Sequence, residues 1–65
     1  MTIDELKRLI EEIRESADDD EMAHAAEDRL RARVLEHIAN GGDNARELAQ
    51  LVLTTSDIEF CRWCS

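Results

Sequence analysis

The sequence predicts an all-α fold: a small bundle of three helices closed by a short C-terminal helical turn. Three observations carry that expectation. Apolar residues recur three and four positions apart through most of the chain, as one face of an α-helix requires. The chain has no proline, and its two glycines stand side by side at Gly41 and Gly42. A β-rich domain of 65 residues would need turn residues at many more places.

The first helix is expected over residues 3–16. Thr2 and Glu5 have the spacing of a capping box, in which each side chain serves an orphan backbone N–H of the other. Met1 and Leu6 hold the two positions of a hydrophobic staple. Ile3, Leu6, Ile10, Ile13 and Ala17 then mark a seam, widened by Leu9. Asp4/Arg8, Lys7/Glu11 and Arg8/Glu12 place opposite charges four residues apart on the outer face.

A second helix is expected over residues 19–40, about 33 Å long. It opens in the acid run Asp18 to Glu21, with Asp18 as cap and acids facing the positive end of the helix dipole. Met22, Ala23, Ala26, Leu30, Val34 and Ile38 keep helical spacing until Asn40-Gly41-Gly42 stops them. The link around residues 16–19 is short, so the first two helices should lie antiparallel. Asp43 or Asn44 is expected to cap a third helix over 44–54, with Glu47 three residues after Asn44. Its apolar face is Ala45, Leu48, Ala49, Leu51 and Val52. Thr54-Thr55-Ser56 should break it, and Ser56-x-x-Glu59 reads as a further capping box. That box predicts a terminal helix of two turns or fewer over 57–63. One domain covers residues 1–65. A chain this short buries only about 60% of the surface its unfolded form exposes, so its margin of stability is small.

Sixteen acids oppose eight bases, and the net charge of −8 falls entirely within residues 1–28. Residues 29–65 are balanced. A nonspecific nucleic-acid binder needs a basic stripe, so this distribution argues against one and suits a basic protein partner. The candidate partner-binding face is Glu11, Glu12, Glu15, Asp18, Asp19, Asp20 and Glu21. Arg29, Arg31 and Arg33 form a basic cluster only on paper. On a helix Arg31 points away from the other two, and Glu27, Asp28 and Glu36 surround them. The longest apolar run, Leu51 to Leu53, is far too short to span a membrane, and MTIDELKRLI lacks the basic and apolar regions of a signal peptide. A cytoplasmic protein is the expectation.

The most chemical stretch is the ending FCRWCS. Cys61-x-x-Cys64 has the spacing of half a zinc site. His24 and His37 are the remaining candidate ligands, but thirteen residues of helix set them about 20 Å apart. A redox thiol would want a helix N-terminus or a nearby base, which this terminus does not supply. Ser16, Ser56 and Ser65 sit at caps or the chain end, with no base and orienting group beside them. The expectation is therefore no enzyme activity, no cofactor and no metal. Phe60 and Trp63 are read as a structural anchor or a docking site, Trp63 as the plug of the bundle.

Two stretches, HAAEDRLRARVLEHIA (24–39) and TTSDIEFCRWCS (54–65), resemble small uncharacterised phage and bacterial proteins. These pair an H-x-x-E-D-x-L-x-x-x-V-L helix with a terminal D-I-x-F-x-R-W-C. In that pattern the position of Cys61 is not fixed as cysteine, which implies that Cys-x-x-Cys is incidental here. The resemblance implies a phage-related accessory protein in a bacterial host cell and carries no activity. The function expected is non-catalytic protein–protein interaction, as a monomer or a helix-paired homodimer. An acidic, DNA-mimicking inhibitor of a host nucleic-acid enzyme, of the kind seen among anti-CRISPR proteins, is the alternative. A small zinc or thiol protein is the third reading.

Overall fold

A computed structural model describes residues 1–62. Helix α1 spans Ile3–Glu15, α2 spans Asp20–Ala39 and α3 spans Ala45–Leu53, followed by a 3₁₀ turn at Thr54–Asp57. Each helix packs against the other two. The domain measures 34 × 18 × 14 Å, and α2, at about 1.5 Å per residue, runs most of its length.

The core is built from the predicted seams. Leu6, Ile10 and Ile13 of α1, Ala23, Leu30 and Val34 of α2, and Leu48 and Val52 of α3 are all buried. Ile58 joins them from beyond the 3₁₀ turn, and Met1, Ile3, Leu9, Ala17, Ala26, Ile38, Leu51 and Phe60 pack around them. Met22, expected on the inner face of α2, is instead 60% exposed. It lies one residue before the buried seam of Ala23, Leu30 and Val34, and its side chain leans to the flank.

Local signals set the helix ends. Thr2 accepts the Glu5 N–H at 3.1 Å. The other half of the box is absent: the Glu5 carboxylate accepts from Arg33 at 2.9 Å, tying α1 to α2. Asp19, not Asp18, caps α2 by accepting the Met22 N–H. Asn40, Gly41 and Gly42 form a complete Schellman stop, with Gly42 N–H donating to the His37 carbonyl and Gly41 N–H to that of Ile38. Gly41 takes φ 77° there. Asn44 precedes α3 in the left-handed region, φ 62°, and its side chain caps nothing. Of the surface pairs on α1, Glu11–Arg14 closes at 3.8 Å and the three expected i,i+4 pairs do not.

The C-terminal segment departs most from expectation. Thr54-Thr55-Ser56 ends α3 as expected, and the chain tightens there into a 3₁₀ turn. The Thr54 and Thr55 hydroxyls donate back to the carbonyls of Leu51 and Val52, at 2.6 and 2.9 Å. Ile58 is then extended, φ −78° and ψ 123°. No helix follows among the described residues, so the capped helix expected over 57–63 is not formed there. The physical reason is the route the chain must take: from Ile58 it crosses back over α2, where Cys61 and Arg62 find their partners. The part of the expectation that concerned Trp63 and Cys64 lies outside the described residues.

Candidate functional site

Two charged regions stand out, one inside the fold and one on its surface. The inner one centres on Glu27, whose side chain is 1% exposed. Glu27 follows Ala23 by four residues and precedes Leu30 by three, which puts it on the buried seam of α2. Arg62 meets it with two parallel bonds, Nε to Oε1 at 3.1 Å and Nη2 to Oε2 at 2.9 Å. Such a fork on a carboxylate is the strong form of the ion pair. Arg62 Nη2 also donates to the carbonyls of Thr55 and Ile58, at 2.8 and 3.2 Å. Its guanidinium lies 3.9 Å above the Phe60 ring.

Arg31, one turn along α2, stands 3.7 Å from the same carboxylate and donates to the hydroxyls of Thr55 and Ser56. Among the described residues, no buried side-chain nitrogen or oxygen is left without a hydrogen bond. Burial by itself would raise the Glu27 carboxyl. Hydrogen bonding from Arg62, with the charges of Arg31 and Arg62, more than offsets that and holds it below the ordinary glutamate value. Glu27 in turn raises the Arg62 guanidinium, which stays charged. This is a closed, satisfied network. It joins α2, the 3₁₀ turn and the tail.

The sequence by itself places Glu27 beside the arginines of α2, with Asp28 and Glu36, and does not point to its pairing with Arg62. The available signal was its place on the 23–30–34 seam, a poor place for an acid that lacks a buried cation. The separation of Arg29 and Arg33 from Arg31 does hold: the first two face α1 and Arg31 faces the tail.

The outer region is the acidic corner where α1 turns into α2. Glu11, Glu12, Glu15, Asp18, Asp19 and Glu21 are exposed. Asp19 is engaged as the α2 cap. Asp20, half-buried, accepts the Cys61 backbone N–H at 2.9 Å and fastens the tail to the start of α2. Glu11 pairs with Arg14. Glu12, Glu15, Asp18 and Glu21 make no ion pair among the described residues.

Beside the corner, an open groove of about 490 Å³ runs between α1 and α2. Leu9, Met22 and Ala26 contribute its apolar surface. Glu12 and Glu15 stand on the α1 bank, Arg29 and Arg33 on the α2 bank.

The histidines serve other ends. His24 faces Asp28 at 3.4 Å. His37 has both ring nitrogens engaged, Nε2 with the Asp43 carbonyl at 2.9 Å and Nδ1 with the Met1 amine at 3.2 Å. The tautomer with its proton on Nε2 satisfies both. Among the described residues no group of three or more His, Cys, Asp or Glu side chains could hold a metal ion. No helix among them is long and apolar enough to cross a membrane. Comparisons with protein-family models, curated proteins and solved structures find nothing that matches this chain.

Proposed function

We propose that this chain is a non-catalytic interaction module whose acidic corner binds a basic protein partner. The observation that supports it best is the exposure of Glu15, Asp18 and Glu21 around a single turn, in the part of the chain that holds all the net charge. Carboxylates gathered at one convex corner raise the local negative potential and speed encounter with a cationic surface. The charges of the inner network point the same way. Glu27 and Arg62 consume each other in holding the fold, so neither is spare for chemistry.

The test is retention of a partner from host lysate on immobilised protein, compared with Glu15→Gln/Asp18→Asn/Glu21→Gln. The reading requires a basic partner that is retained by the wild type, elutes as salt rises and is lost with the triple variant. Equal retention by both proteins would remove it.

A DNA-mimicking inhibitor is the second reading, favoured by the confinement of the −8 to residues 1–28. It differs in one respect: a duplex oligonucleotide should then compete with the protein for the same partner. The phage-related setting rests on the resemblance alone.

A further inference from the structure

The groove between α1 and α2 carries charge of opposite sign on its two banks, and this makes it complementary to itself. On α1, Glu5, Leu9, Glu12 and Ser16 follow one another at helical spacing along the flank. On α2, Met22, Ala26, Arg29 and Arg33 do the same. The far end of the groove is closed within the chain by Arg33 and Glu5, at 2.9 Å. Nearer the corner, Glu12 and Arg29 face the groove with no ion-pair partner among the described residues. At the corner end, level with Ser16, Met22, 60% exposed, leaves an apolar side chain in water.

We propose that this groove is the interface of a two-fold symmetric dimer of the chain, with the axis running along the groove. Turning a second copy about that axis keeps every residue at its own height and lays the partner's α1 over α2. Each Glu12, level with Ala26, then lies within one helical turn of the other copy's Arg29, an offset the two long side chains span, and Leu9 and Ala26 of both copies fill the middle with Met22 at the corner end. A two-fold axis across the groove would instead lay α1 on α1 and set acid against acid along the contact, so the charges lining the groove select the first arrangement. An isologous contact of this kind needs each patch to complement itself, and this one does. The four helices would form a bundle of ordinary antiparallel neighbours. The dimer also sets the two acidic corners side by side at one end, a repulsion that the contacts in the groove must outweigh. It stands independently of the identity of any basic partner.

The test is light scattering across a wide concentration range on the full chain, with Glu12→Arg and Arg29→Glu made separately. The wild type should double its apparent mass as concentration rises. Each single variant should weaken self-association at least tenfold, because each sets like charges across both symmetry-related contacts. An equimolar mixture should recover the doubled mass, since reversal on one copy matches reversal on the other. Recovery in the mixture also shows that both variants fold. A wild type that stays monomeric throughout overturns the dimer. Variants that associate like the wild type, or an E12R chain that associates more tightly alone, overturn this interface and its axis.

Discussion

Arg62 forks onto Glu27 with bonds of 3.1 and 2.9 Å, thirty-five residues apart in sequence, and so ties the tail to the middle of α2. The stretches HAAEDRL and DIEFCR, which stand apart in the chain, meet at this pair. Ile58 is buried below it and the Phe60 ring lies against Arg62.

Removing one partner should be far worse than removing both. Arg62→Ala leaves Glu27 in the core with only Arg31 nearby, a loss of about 3 kcal/mol. Replacing both by apolar residues, Glu27→Leu with Arg62→Met, should recover most of that, because no charge is then left buried. Urea unfolding of the two variants measures the difference. Equal losses would mean that the pair acts by packing alone.

The same carboxylate makes stability depend on acid. Its folded pKa lies below its unfolded one, so its contribution is fully present above the unfolded value of about 4.3. It is lost as the pH falls from there through the folded pKa. Thermal unfolding between neutral and acid pH should therefore show a drop that Glu27→Gln reduces. A glutamine variant with an unchanged acid slope would assign that slope to other carboxylates.

The two adjacent glycines should fail for different reasons. At Gly41 a side chain would meet nothing, but φ is 77°, and Gly41→Ala should lose about 1 kcal/mol to backbone strain. At Gly42 an added Cβ would collide with the His37 ring. Gly42→Ala should therefore expel that ring and break its bonds to Asp43 and Met1. Histidine ring chemical shifts separate the two: they move in Gly42→Ala and stay put in Gly41→Ala.

The helix caps are unequal as well. Thr2→Ala and Asp19→Ala each remove a cap bond, and each should cost about 1 kcal/mol. Asn44 makes no cap bond and sits at φ 62°, so Asn44→Gly should leave stability unchanged or raise it. Helicity and melting temperature across the three variants check the ranking, and a destabilised Asn44→Gly would contradict it.

The helices, their seams and the glycine stop follow from local sequence, because helical periodicity, capping and the left-handed glycine act over a few residues. Leu6, Ile10, Ile13, Leu30, Val34, Leu48 and Val52 are legible as core for that reason. Glu5, Asp20, Glu27 and Arg62 are not. Each has a local reading as a surface or capping charge, and each is instead bonded to a residue at least 28 positions away. The tail shows the same division. Ser56 and Glu59 have the spacing of a helix start, yet Ile58 is extended, because the Cys61 N–H and the Arg62 side chain are drawn to acids on α2. Sequence by itself determined the three helices and the seams that avoid water. Only the tertiary structure decided which charges go inside, because a buried carboxylate is tolerated only where distant parts of the chain bring it a cation.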